Sequence, residues 1–190
     1  EPMEKIGGDF YDFVPLAEDR SKWGIVIGDV TGHGVEAAVV MAMVKSVVKV
    51  MAKNYDSAAK VIEKANAELS PDMDSTTFTT VAYGILDVPN RKIRFVRAGH
   101  NPLVLFNPDR NPSLIHYTPK GTILGVPWGL SLEEIEIELQ PGDMLIQYTD
   151  GITEAKSKQG EEFGIERLAE IIEQHGRADS QALLKAIRSE

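Results

Sequence analysis

The feature that most constrains the fold is VIGDVTGHGVEAAVVMAMVKS, residues 26–46, where an apolar strand runs into an apolar helix. The junction contains Asp29 and three glycines. The helix is apolar around most of its circumference, and Lys45, Lys49 and Lys53 form one polar stripe. This pattern predicts a core helix that follows a carboxylate, at a place where the backbone can approach a ligand closely.

Length and composition narrow the classes of protein. With 190 residues, 43% of them hydrophobic, the chain can bury one core, so a single domain over residues 1–190 is expected. The abrupt opening EPMEKIGGDF suggests a domain excised from a longer protein. A net charge of −9 argues against nucleic acid and against membrane contact by this domain. The absence of cysteine excludes disulfides and thiolate sites, and it fits a cytoplasmic location. The longest apolar run is too short to span a membrane.

Periodicity and turn residues predict the order of the elements. A hairpin of two strands at 10–15 and 23–28 is followed by the helix at 35–53. A second helix is predicted from an N-cap at Asp56 or Ser57 to the residue before Pro71. One antiparallel meander then follows, with the segments TFTTVAYGILD, KIRFVRA, LVLFN and SLIHY. Two more strands, EEIEIEL and MLIQYT, precede helices at 163–174 and 180–187.

Three aspartates, Asp9, Asp29 and Asp150, share one local setting, because each adjoins an apolar strand and a glycine. Carboxylates that converged at one end of a sheet would repel one another unless a cation neutralised them. Magnesium or manganese fits, since both favour oxygen ligands. The simpler alternative is that each aspartate only caps a helix or closes a turn. For Asp29 the cap is the weaker interpretation, because the helix begins about five residues later and Thr31 or Gly34 could serve instead.

The motifs GGDFYD, GDVTGHG, TTVAYGILD, AGHNP and YTDGITEA occur in the order found in the type 2C (PPM) metal-dependent protein phosphatases. The chain most resembles their bacterial SpoIIE/RsbU branch, from Ile6 to Ala155. The resemblance implies an α+β fold, an α/β/β/α sandwich of two antiparallel sheets flanked by helix pairs. It also implies a manganese- or magnesium-dependent phosphatase acting on phosphoserine or phosphothreonine.

Carried over to this sequence, the resemblance makes Asp29 the bridging ligand of a two-metal centre, beside the Val30 carbonyl. Asp9 and Asp150 complete its two sides. Two cations about 3.5–4 Å apart activate a water for in-line attack on phosphorus. The catalytic assignment therefore falls on Asp29 and Asp150. Asp12 and His100 are candidates for supporting positions beside the metal, and for Asp12 the alternative is a solvated strand residue.

The sequence also departs from the wider family. His100 stands in AGHN where the eukaryotic-type branch has an aspartate of a third metal site, and KGTILGVPWG lacks a further carboxylate. Lys5 is a poor substitute for the phosphate-binding arginine of that branch. His33 and His100 are candidates for a general acid, against the simpler interpretation that they satisfy local hydrogen bonds. Both tryptophans and three methionines are assigned to core packing, namely Trp23, Trp128, Met41, Met43 and Met51.

The resemblance further implies a phosphorylated STAS-domain protein, an anti-sigma factor antagonist, as the substrate. It implies an N-terminal sensor or receiver domain in the parent chain, and leaves a homodimer open. The competing hypothesis is a pseudophosphatase that docks a partner without turnover. A nucleotide site at GDVTGHG ranks last, because no Gly-Lys-Ser/Thr follows the loop.

Overall fold

The computed structural model describes residues 7–74 and 77–189, which form two compact units. The first unit comprises the chain up to His100 together with Pro119–Leu139. The second comprises Asn101–Thr118 and the chain from Gln140 onward. In chain order the elements are β1 (Phe10–Pro15), β2 (Lys22–Val30), α1 (Val35–Ala52), α2 (Ala58–Leu69), β3 (Thr79–Asp87), β4 (Lys92–Ala98), β5 (Leu103–Phe106), β6 (Leu114–Tyr117), β7 (Ile135–Glu138), β8 (Met144–Ile146), α3 (Asp150–Thr153), α4 (Ile165–His175) and α5 (Ser180–Ser189).

The first unit is an antiparallel sheet in the order β1-β2-β3-β4-β7, with α1 and α2 packed on one face. Its core contains Val44, Val48, Ile62 and Tyr83, none of which retains measurable exposure. Burying a side chain of this size stabilises the fold by roughly 1.5–3 kcal/mol. At the start of α2 the Ser57 hydroxyl accepts a hydrogen bond from the Lys60 N–H at 3.2 Å, so the expected N-cap is confirmed.

Strand β1 lies at the edge of this sheet. Its side chains alternate, so that Phe10 and Val14 are buried while Tyr11 and Phe13 are 66% and 56% exposed. Lys45 of α1 donates a hydrogen bond of 3.2 Å to the backbone carbonyl of Tyr11. The same ammonium group lies 3.8 Å from the Asp12 carboxylate. The first lysine of the polar stripe of α1 therefore contacts the outer strand of the sheet.

The second unit has a three-stranded antiparallel sheet in the order β6-β5-β8, which packs against α4 and α5. Val104, Phe106, Leu168 and Ile172 lie in its core. A polar cluster fixes the turn before β8, where the Asp143 carboxylate accepts hydrogen bonds from the Arg110 guanidinium, the Asn107 amide and the Gln140 N–H. Burial raises the pKa of Asp143, but these hydrogen bonds outweigh burial and its pKa is lowered overall.

The predicted α+β class, with two antiparallel sheets and a helix pair packed on each, is confirmed. The single meander is wrong, because β3 and β4 pair in the first sheet while β5 and β6 pair in the second. Strand β2 also runs two residues further than predicted, to Val30, and the four-residue helix α3 was not predicted.

The assignments to core packing hold only in part. Met41, Met43 and Met51 are partly buried against the first core, as predicted. Trp128 does not belong to the core, because it is 79% exposed in the loop before β7. Trp23 is half-buried on β2, and its indole N–H donates to the Arg20 carbonyl at 3.0 Å. Within the described residues, no helix combines the length and apolarity that a membrane span requires.

Candidate metal centre

The end of β2 brings two predicted ligands together. Asp29 is the penultimate residue of β2 and is half-buried, whereas Asp9 directly precedes β1 and is exposed. Because Phe10 pairs with Gly28 in the antiparallel β1–β2 ladder, the residue before Phe10 falls beside the residue after Gly28. A carboxylate oxygen of Asp9 lies within 4.8 Å of one of Asp29.

Gly8 allows this close approach. Its carbonyl accepts a hydrogen bond from the Val30 N–H at 3.3 Å. A Cβ atom placed on Gly8 would lie 2.3 Å from the Val30 carbonyl oxygen and 2.9 Å from Oδ1 of Asp29. Both distances are shorter than a carbon atom tolerates, so only glycine fits beside the two predicted ligand oxygens.

The donor set fits a hard divalent cation. Asp9, Asp29 and the Val30 carbonyl offer oxygen atoms only, which are the ligands that magnesium and manganese prefer. Two ionised carboxylates this close repel each other unless a positive charge lies near both. The residues at the end of β2 therefore fit the metal that the sequence predicts.

Asp29 does not cap α1. The N-cap residue is Gly34, which has no side chain to offer, and Asp29 belongs to the β2 ladder, where it pairs with Thr80. Thr31 does not cap the helix with its hydroxyl either, because that group hydrogen-bonds to the backbone of Phe78. Asp29 therefore does not occupy the N-cap position of α1.

Asp150 lies in the second unit, as the first residue of the short helix α3. Its side chain is exposed, and its carbonyl accepts hydrogen bonds from the Glu154 N–H at 2.7 Å and the Thr153 hydroxyl at 3.3 Å. The backbone of Asp150 thus holds the turn that follows β8.

The two candidates for supporting positions differ. Asp12 lies 3.8 Å from the Lys45 ammonium and accepts a hydrogen bond from the Phe13 N–H, which favours a structural role on β1. His100 is only 4% exposed, and its Nδ1 lies 2.8 Å from the hydroxyl of Thr80. Thr80, the residue that contacts His100, is the direct cross-strand neighbour of the predicted ligand Asp29.

The two candidates for a general acid, His33 and His100, differ in exposure. His33 is exposed in the loop between β2 and α1, whereas the burial of His100 leaves it little surface for a substrate. Lys5 lies outside the described residues. Of the two histidines, His33 is the one that a bound substrate could reach.

Sequence reasoning missed Asn66, which is 3% exposed on α2. Its Oδ1 accepts hydrogen bonds from the N–H groups of Gly125 and Val126, and its amide donates to the Val126 carbonyl at 2.9 Å. Leu124, just before this loop, pairs with Thr79, which in turn pairs with Val30. The available signal was an asparagine on the apolar face of a predicted helix.

The chain has relatives among known protein sequences. A family model described as Stage II sporulation protein E (SpoIIE) matches residues 19–190. Phosphoserine phosphatase RsbU of Bacillus subtilis is 27% identical over 188 residues, which cover 98% of this chain and 54% of RsbU. Protein IcfG of Synechocystis is 30% identical over 210 residues, covering 96% of this chain and 32% of IcfG. The chain therefore spans about half of RsbU and a third of IcfG.

Solved structures are similar as well. The RsbU and RsbW domains of Rv1364c from Mycobacterium tuberculosis match with a TM-score of 0.74 and 26% identity, covering 100% of this chain and 53% of that one. The SiaA-PP2C domain of Pseudomonas aeruginosa matches with a TM-score of 0.79 and 21% identity, covering 100% of this chain and 74% of that one. These similarities confirm the expected fold itself, and not only its α+β class.

Proposed function

This chain belongs to the SpoIIE family with a PP2C-type fold, and we propose that it hydrolyses phosphoserine or phosphothreonine on a signalling protein. The enzyme class that the family supports is a metal-dependent protein phosphatase, since the relative RsbU is named a phosphoserine phosphatase. One observation carries the proposal: one carboxylate oxygen of Asp9 and one of Asp29 lie within 4.8 Å of each other.

We assign the metal ligands as Asp9, Asp29 and the Val30 carbonyl, with Asp150 as a further carboxylate. The assignment of Asp150 rests on its motif YTDGITEA and on the family. Two ions, manganese or magnesium, are proposed. When bound, they supply a Lewis acid that activates water and neutralises charge on the phosphoryl oxygens.

The fold holds the proposed ligands in fixed positions for this chemistry. The half-buried Asp29 presents its carboxylate from a strand fixed on both sides, by β1 and by β3. The chain has no cysteine, and direct transfer of the phosphoryl group to water needs no covalent intermediate. A bond forms between the water oxygen and phosphorus while the bond to the serine oxygen breaks. The water loses one proton to solvent, and the serine oxygen takes one from a donor in the site. We propose the exposed His33, rather than His100, as its donor.

The proposed pathway is partner switching in sigma-factor regulation. It is supported by similarity to RsbU and to the RsbU and RsbW domains of Rv1364c. Within it we propose a phosphorylated STAS-domain protein as the substrate and an N-terminal sensor or receiver domain in the parent chain. A cytoplasmic location belongs to the same proposal, and a homodimer stays open.

The first experiment measures hydrolysis of p-nitrophenyl phosphate and of a phosphoserine STAS protein, with manganese and with EDTA. We expect manganese-dependent turnover in the wild type and a loss of at least about 10²-fold in Asp29→Asn and Asp150→Asn, because each change removes a charged ligand. Asp12→Asn serves as the matched control on β1. A folded wild type that binds the phosphoprotein without turnover would instead identify a pseudophosphatase.

A further inference from the structure

Thr31, the first residue after β2, makes three hydrogen bonds with the backbone of Phe78. Its N–H donates to the Phe78 carbonyl at 3.0 Å. Its hydroxyl donates to the same carbonyl at 3.1 Å and accepts from the Phe78 N–H at 3.1 Å. One side chain thus joins two segments that are 47 residues apart in sequence.

The Thr31 hydroxyl accepts a hydrogen bond that a backbone carbonyl accepts elsewhere in an antiparallel sheet. Val30 and Thr79 form the last pair of the β2–β3 ladder, so Thr31 and Phe78 would form the next one. In a continuing antiparallel ladder, the Phe78 N–H would bond to the Thr31 carbonyl. Here the Thr31 hydroxyl accepts that bond, and the main chain turns away at once through Gly32, whose φ is 95°.

This contact fixes one side of Val30, and Gly8 fixes the other. The Val30 N–H donates to the Gly8 carbonyl at 3.3 Å, and the next residue is bonded to Phe78. The helix that follows adds no side-chain capping bond, because its N-cap residue is Gly34. The orientation of the Val30 carbonyl therefore depends on the two anchors that flank it.

We propose that Thr31 is a positioning residue for the metal centre: Thr31 holds the Val30 carbonyl and the Asp29 carboxylate in place for the ion. The inference rests on the proposed metal ligands. Groups that orient metal ligands without touching the ion change metal affinity by about 10- to 100-fold when they are removed. Thr31 fits this description, because it follows Val30 directly and contacts β3 through its hydroxyl.

The test measures manganese binding to metal-stripped protein by calorimetry, with urea unfolding in EDTA as a separate readout. Thr31→Val keeps the shape of the side chain but removes both hydroxyl bonds, and we expect manganese to bind about tenfold more weakly. Thr31→Ser keeps the hydroxyl and should restore wild-type affinity. The matched control is Thr122→Val, since the Thr122 hydroxyl also accepts a backbone N–H of the first unit, that of Ser131 at 3.3 Å.

Each outcome decides the question. Equal manganese affinity in Thr31→Val and the wild type overturns the inference, as does equal weakening in Thr31→Val and Thr31→Ser. If Thr31→Val does not fold, Thr31→Ala compared with Thr31→Ser gives the same decision. Asp29→Asn separates the two levels: when it abolishes manganese binding and Thr31→Val leaves the affinity at the wild-type value, only the role of Thr31 fails. A wild type that binds no manganese removes the metal centre and this inference together.

Discussion

Asp29 and Thr80 lie directly opposite each other in the β2–β3 ladder. Cross-strand partners in an antiparallel sheet project their side chains to the same face, so both project on the face opposite the helices. The Thr80 hydroxyl lies 2.8 Å from Nδ1 of the buried His100. Thr80 therefore lies between two groups of the first unit: it is the cross-strand neighbour of the predicted ligand Asp29, and its hydroxyl contacts the imidazole of His100.

Replacing Thr80 with valine should destabilise the fold. The substitution preserves the shape of the side chain but removes the hydroxyl beside His100, which is 4% exposed. Loss of a hydrogen bond to a buried polar group costs about 1–3 kcal/mol. Urea unfolding in EDTA should show this decrease, and Thr118→Val, at an exposed threonine, should leave the free energy of unfolding near that of the wild type. Equal values for both variants would contradict the prediction.

Gly8→Ala should disrupt the metal centre. The new Cβ atom would lie 2.3 Å from the Val30 carbonyl oxygen, so the backbone has to shift. A displacement of about 1 Å at a catalytic site can lower turnover about 10²-fold, and we expect a loss of that size for p-nitrophenyl phosphate with manganese. Gly7→Ala is the control, because its Cβ atom would find its nearest neighbour at 3.9 Å. Wild-type activity in Gly8→Ala would show that the end of β2 tolerates the shift.

Asn66→Ala should destabilise the first unit by about 3 kcal/mol, because two N–H groups and one carbonyl lose their partner. We expect the loss in urea unfolding, whether metal is present or absent. Asn54→Ala provides the comparison, since Asn54 is exposed and its side-chain amide donates to the Val50 carbonyl at 2.8 Å. A cost no greater than that of Asn54→Ala would mean that water replaces Asn66 in its loop.

Asp143 should make stability depend on pH in the acid range. The pKa of Asp143 is lower in the folded protein than in the unfolded chain, although burial alone would raise it, because Arg110, Gln140 and Asn107 donate hydrogen bonds to it. Its contribution is therefore complete above the unfolded pKa of about 3.9, and it is lost as the pH falls through the folded pKa.

This contribution can be measured by urea unfolding of the wild type and Asp143→Asn from about pH 7 to about pH 3. Asp143→Asn should be clearly less stable at neutral pH, and the difference should narrow below about pH 4. Asp109→Asn, at an exposed residue of the same unit, should follow the wild type throughout. A difference that is constant over the whole range would assign the effect to shape rather than to charge.

Much of the local structure could be predicted from sequence. The bounds of β1 and the cap of α2 agree with prediction, because alternation and capping involve neighbouring residues. The proximity of Asp9 and Asp29 was also predictable, since a short hairpin brings the start of one strand beside the end of the next.

The failures have a common physical origin in contacts between distant residues. Strand pairing decides that β5 leaves the first sheet, and no local pattern records which partner a strand will take. The hydrogen bonds of Thr31 and Asn66 join residues 47 and about 60 positions away, so their roles emerge only in three dimensions. Trp128 is apolar but exposed, and it lies in a turn next to Gly129, whose φ is 84°.

The contact between Lys45 and the Tyr11 carbonyl has a consequence for self-association. An outer strand that carries two exposed aromatic side chains is a template to which another chain can add a strand, and such addition leads to aggregation. Lys45 occupies one of the backbone acceptors of that strand and adds a positive charge beside it. An incoming strand would have to displace the ammonium group and bury its charge, so Lys45 acts as a gatekeeper against aggregation at this edge.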